Sequence, residues 1–126
     1  MLYAILIHGS EESFERQRPE ETEATLATHF ELQHELKEQG RLGPVMRLVP
    51  HVGATVRRRY SGDLLVTDGP LVDSSEQLMG IYIVECEAPD DAVEVARRLA
   101  VGMAVFEIRP ISWFDPGMIG PLVPGR

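Results

Sequence analysis

The 126-residue chain has a single cysteine, Cys86, so it can form neither an internal disulfide nor a cysteine-based zinc site. That thiol lies in a β-forming run, where free cysteine behaves as a small core hydrophobe. Long apolar runs are missing too. The opening stretch Leu2 to Ile7 is far shorter than the ~20 residues of a membrane span, and no basic residue precedes it. No membrane partner is therefore expected, and the expected location is the cytoplasm. Positive charge is scarce: 12 Lys and Arg stand against 20 Asp and Glu, a formal net charge of -8 that repels phosphate backbones. The cluster Arg57-Arg58-Arg59 is too short to reverse that, so nucleic acid is not an expected partner. Glycine-rich phosphate loops are absent. So is any nucleophile elbow around Ser10, Ser13, Ser61, Ser74, Ser75 or Ser112. His29 and His34 are ~140° apart on a helix, His8 and His51 belong to other segments, and no paired-histidine metal spacing occurs. Neither a metal nor a cofactor is expected.

What remains is an ordinary globular composition, 44% hydrophobic and 25% charged, at a length that suits one domain. "MLYAILIH" is rich in β-formers and predicts a strand over residues 2–8. From Glu20 to Gln39 helix formers dominate, and Gly40 is placed to end that helix in a left-handed cap. "RLGPVMRLV" predicts a second strand, broken early by Gly43-Pro44. "ATVRRRY" and "DLLVT" flank Ser61-Gly62 and predict a hairpin. Residues 78–87 predict the next strand. "APDDAVEVARRLAVG" predicts a helix with Pro89 in its first turn and Ala92, Val95, Ala96 and Leu99 along one stripe. "AVFEIRPIS" predicts the last strand.

The order β-α-β-hairpin-β-α-β is the split βαβ pattern of ferredoxin-like α+β folds, an antiparallel sheet with two helices on one face. In "GIYIVECE", Ile81, Ile83 and Glu85 fall on one side, and Tyr82, Val84 and Cys86 on the other. Both sides carry apolar groups, so the helix-free face is expected to pack on a second copy, giving a homodimer or a higher oligomer built from it. The domain is expected over residues 1–112. The tail 113–126 carries Trp113, Phe114, Met118, Ile119 and Leu122 among prolines and glycines. It reads as an irregular arm lying over a neighbouring surface, a frayed end being the other reading.

With Leu26 at zero on a helical wheel, Phe30 lies near ~40°, Gln33 ~340°, His29 ~300°, Leu36 ~280° and Leu32 ~240°. Glu31, Glu35 and Glu38 lie opposite. The helix therefore aims the His29 imidazole and the Gln33 amide toward the sheet. A buried imidazole needs a hydrogen-bond partner or a wet cavity, so His29 is either a satisfied structural histidine or a general acid–base group. Asp68-Gly69-Pro70, after a strand, is good turn chemistry. The same strand end can point the Asp68 carboxylate into a cleft, where it would fix the tautomer of a nearby imidazole. Arg109, near the end of the last strand, could bind a carboxylate or enolate oxygen, or pair with an acidic neighbour.

In the segments "YAILIHG", "EQGRLGP", "ATVRRRYSGDLLVTDGP", "EQLMGIYIVE", "PDDAVEVAR" and "VFEIRPI", the chain resembles the YCII-related family, and within it the branch named for its Asp-Gly-Pro-Phe (DGPF) signature. The resemblance implies a dimeric α+β barrel of ferredoxin-like protomers, each with a pocket holding a histidine–aspartate pair. His29 matches the histidine position and Asp68 the signature carboxylate. Leu71 replaces the signature phenylalanine, and "VDSSEQL" departs from the commoner acidic, lysine-containing form. The wider family includes an aromatic-ring dehydrochlorinase, and related barrels host cofactor-free isomerases and oxygenases. Fold likeness transfers none of these reactions.

The expectation is a cofactor-free enzyme of lyase, isomerase or hydrolase type acting on a small polar or aromatic metabolite. His29 would move the proton and Asp68 would orient it, with Arg109, Gln33 and Pro70 against the substrate. The alternative is a dimer that binds a small ligand, or regulates, without catalysis.

Overall fold

The computed structural model describes residues 1–10, 12, 15–71 and 76–120. Leu122 of the expected arm, and the "VDSS" segment over residues 72–75, lie outside them. Six strands and two helices follow in order: β1 (Leu2–Gly9), α1 (Pro19–Glu38), β2 (Leu42–Arg47), β3 (Ala54–Arg58), β4 (Leu64–Asp68), β5 (Gln77–Glu85), α2 (Pro89–Leu99) and β6 (Val105–Pro110). Four strands form one antiparallel sheet in the order β2-β5-β1-β6, and β3 and β4 pair as a separate hairpin. The units β1-α1-β2 and β5-α2-β6 each leave a gap one strand wide, which the other unit fills. This is the ferredoxin-like α+β fold that the element order predicts.

Local chemistry sets the element ends. Pro19 opens α1, where its missing N–H costs nothing. Gly40 follows the helix at φ +67°, a left-handed conformation that side chains resist, and its N–H is donated to the Lys37 carbonyl. In β2 the register slips between Leu42 and Val45, at Gly43-Pro44. A Cβ on Gly43 would stand 3.0 Å from the Ile83 side chain, so only glycine lets the bulged strand lie this close to β5. The N–H of Ala88 is donated to the Asp91 carboxylate at 3.0 Å, which caps the start of α2.

The core lies between the sheet and both helices. Tyr3 and Ile5 of β1 and Tyr82 and Val84 of β5 meet Leu32 and Leu36 of α1 and Ala92, Val95, Ala96 and Leu99 of α2. Removing a side chain of this size from water contributes about 1.5–3 kcal/mol. Cys86 is buried, but it stands just past β5 rather than within it. β1 begins at Leu2, so the ladder has no further strand partner there, and the Cys86 N–H is donated to the Met1 carbonyl instead.

The opposite face behaves as the alternation predicts. Ala4, Leu6, Ile81 and Ile83 share it, with Met46, Val105, Glu107 and Arg109 at its edges. Met46 and Val105 are exposed, and Leu6 and Ile81 are partly so. The described part of the tail has no regular element, and Trp113, Met118 and Ile119 project into solvent, the last two almost fully. Among the described residues no helix is long and apolar enough to cross a membrane.

Candidate functional site

Side chains at 29, 32, 33 and 36 recur on the sheet-facing stripe of α1, and the middle strands of the sheet lie beneath them. Leu32 and Leu36 fill the core. His29 and Gln33 both reach the Tyr82 hydroxyl, which rises from β5 with its ring buried. His29 Nδ1 lies 2.6 Å from that oxygen, and Gln33 Nε2 donates to it at 2.8 Å. The two rings stand 5.6 Å apart, tilted by 53°.

These contacts allow two proton arrangements. In one, Gln33 donates to the phenol oxygen, the phenol proton goes to His29 Nδ1 and the imidazole carries its own proton on Nε2. A half-turn of the Gln33 amide reverses the chain: Tyr82 then donates to Oε1 and accepts from Nδ1–H, baring Nε2 as a base. Burial holds the His29 imidazole below its ordinary pKa of 6.5, so the neutral form prevails at neutral pH. Burial also raises the Tyr82 phenol above its ordinary 10, with the Gln33 hydrogen bond a smaller opposing influence.

Nε2 of His29 has no partner among the described residues, and no partnerless side-chain nitrogen or oxygen there is sealed from solvent. It therefore opens outward. The direction follows from the wheel. Glu35, at about 180°, pairs with Arg98 of α2, its two carboxylate oxygens at 2.7 and 3.0 Å from the guanidinium. The flank opposite it, at about 0–40°, is turned toward the β2 edge. Leu26 and Phe30 stand on that flank, 43% and 65% exposed. The apolar sector of the helix is thus wider than the buried one, because β2 is the edge of the sheet and no described strand lies beyond it to cover them.

The other expected site residues lie elsewhere. Asp68 ends β4 of the hairpin, exposed, with no hydrogen bond or ion pair of its side chain among the described residues. Pro70 is exposed just beyond it. Arg109 pairs in register with Ala4, on the face away from the helices, 3.7 Å from Glu107. Within the protomer, then, His29 and Gln33 come together through Tyr82, and no bond joins them to Asp68, Pro70 or Arg109. The sequence alternation grouped Tyr82 with Val84 and Cys86 on one side of the strand without assigning that side to the helices, and gave Tyr82 no role. Two polar groups one turn apart on an apolar stripe signal a shared polar partner on the sheet, and Tyr82 is the nearest phenol in that alternation.

A separate hollow of about 140 Å³ lies between the helices, lined by Leu32, Glu35, Arg41, Asp91, Glu94 and Arg98, and contains none of these residues. At the hairpin base, Gln77 holds His51 through both ends of its amide: Oε1 accepts the His51 N–H at 3.2 Å and Nε2 lies 2.6 Å from Nδ1. No group of three His, Cys, Asp or Glu among the described residues is placed to hold a metal ion.

The profile of the YCII-related domain matches residues 1–115. The chain belongs to the YCII-related family. A relative in Rhizobium meliloti (strain 1021), named as an uncharacterised protein, is 36% identical over 120 residues, which cover 93% of this chain and 97% of that protein. The YCII-related domain thus takes in the whole sheet, both helices and the His29–Tyr82–Gln33 cluster, and stops within the tail.

Proposed function

We propose that this YCII-related protein, of the DGPF branch, is a cytoplasmic, cofactor-free enzyme in which His29 transfers a proton to or from a small metabolite. One observation carries this reading: an imidazole anchored at Nδ1 to a buried phenol, with its Nε2 not sealed from solvent. A neutral imidazole gives a proton from Nε2 when Gln33 donates to the phenol and accepts one there when the amide is turned, and the Tyr82–Gln33 pair holds the ring in place in both. Tyr82 thus takes the orienting part that Asp68 was expected to play. Asp68 stands free on the hairpin, so it would reach an imidazole only through the assembly.

The reading includes a homodimer through the helix-free sheet faces, with the tail across the partner. It is supported by the uncovered Leu6, Met46, Ile81 and Val105, and by the exposed Trp113, Met118 and Ile119. The test is a screen of small aromatic and polar metabolites for turnover by the wild type and His29→Gln. Turnover that falls at least a hundredfold in folded His29→Gln is expected, the usual size of a general acid–base contribution. A substrate turned over equally well by both forms would overturn the proton-transfer role. Binding without turnover in either would favour the non-catalytic ligand-binding dimer.

A further inference from the structure

We infer that Arg47 is the anion anchor of the surface beside His29, and that this surface takes a compact apolar or aromatic molecule carrying one carboxylate. The inference rests on His29 marking the site.

In the antiparallel ladder, Val45 lies opposite Tyr82 and Arg47 lies opposite Gly80. Directly opposed residues share a face. Val45 and Arg47 therefore stand on the helix side of the sheet, as Tyr82 does, on the outermost strand. Arg47 and Tyr82 are diagonal neighbours, about 7–8 Å apart at the backbone and within reach of long side chains. That edge is the one toward which Leu26 and Phe30 of α1 turn. Gly80 is buried, and the Ile7 side chain packs over it: a Cβ there would stand 3.2 Å from the Met46 carbonyl and 3.6 Å from Ile7, so only glycine lets β2 and β1 close in on β5 beside Arg47.

Among the described residues three arginines, Arg47, Arg57 and Arg59, have no ion pair and no side-chain hydrogen bond, and of these only Arg47 stands on the four-stranded sheet. The chain holds eight more acidic than basic residues, and most arginines are occupied. Arg16, Arg18, Arg97, Arg98 and Arg109 form ion pairs with glutamates, and Arg41 bonds the Glu85 carbonyl. The Arg47 guanidinium is exposed and has neither an ion pair nor a hydrogen bond among the described residues. The cluster His29, Gln33 and Tyr82 is uncharged at neutral pH. An anion entering there would meet Arg47 as its fork-shaped donor, while its apolar body lies against Leu26, Phe30 and Val45. The anion-binding role expected of Arg109 belongs on this account to Arg47, because Arg109 faces the other side of the sheet.

The test uses benzoate as probe and benzamide as its neutral counterpart, followed by calorimetry and by the NMR signals of the His29 ring. Benzoate is expected to bind the wild type and shift the His29 signals saturably, and to bind at least about tenfold tighter than benzamide, the scale of one charge-assisted hydrogen bond. Arg47→Gln should lose that advantage, whereas Arg109→Gln should keep it. Undiminished benzoate binding by Arg47→Gln, loss of binding in Arg109→Gln alone, or no response of His29 in the wild type would each overturn the inference. His29→Gln separates this inference from the proton-transfer reading. Benzoate binding that survives in His29→Gln and still depends on Arg47 supports the anchor, whatever the turnover assay returns.

Discussion

His29 is decided by what holds its inner nitrogen. Tyr82→Phe removes the one bond that Nδ1 makes among the described residues, whereas Asp68→Asn changes a group with no bond to the ring there. Ring-nitrogen NMR is expected to show altered tautomer populations in Tyr82→Phe and wild-type signals in Asp68→Asn. A ring that responds to Asp68→Asn would bring the carboxylate back into the site. Loss of the phenol should also cost about 1–3 kcal/mol of stability, because Gln33 and His29 lose a buried partner. The shifted titration gives a signed prediction. The folded imidazole is harder to protonate than the unfolded one, so between the two pKa values the unfolded chain binds more protons. Stability should therefore fall as pH drops below about 6.5, the ordinary imidazole value, and stop falling below the folded pKa. His29→Gln should lack that limb in urea unfolding measured across the same range.

Helix α1 carries two kinds of apolar residue that the sequence alone does not separate. Leu36 is buried against the sheet and α2, and Leu26, on the same wheel sector, is 43% exposed. Leu36→Ala is expected to cost about 2–5 kcal/mol, since it leaves a cavity in a packed layer. Leu26→Ala should cost under about 1 kcal/mol by denaturant unfolding of the dilute protein. Equal losses would mean that something covers the outer flank of α1, which would shut His29 off from a ligand. The hairpin raises a related point. Val56, Val66 and Leu64 share one of its faces and all are more than half exposed, and an isolated two-stranded ribbon is marginal in water. Its support must come from beyond its own two strands.

At the scale of the molecule the unfinished surface is the sheet itself. Leu6 and Ile81 face each other at the middle of the helix-free side. If that face joins two copies, Leu6→Lys places a charge in an apolar contact and should convert a dimer into monomer by sedimentation, with the helices retained. A wild type that sediments as a monomer at micromolar concentration would remove the dimer from the proposal. The same experiment on a chain cut before Trp113 reports whether the tail strengthens the association.

The local rules carried far along this chain. Helix formers between Pro19 and Glu38, a glycine free to turn left-handed at 40, alternation through Tyr82 and Val84, and the stripe at Ala92, Val95, Ala96 and Leu99 act over a few residues, so the sequence by itself determined the elements, their order and the face each helix buries. The same stripe rule turned His29 and Gln33 inward. Which group would meet them was a matter of register between β5 and α1, fifty residues apart, and of which flank of α1 the sheet leaves uncovered. Those are packing outcomes of the whole core. Only the tertiary structure therefore set Tyr82 against His29, stood Asp68 apart on the hairpin, and put Arg109 and Arg47 on opposite faces of one sheet.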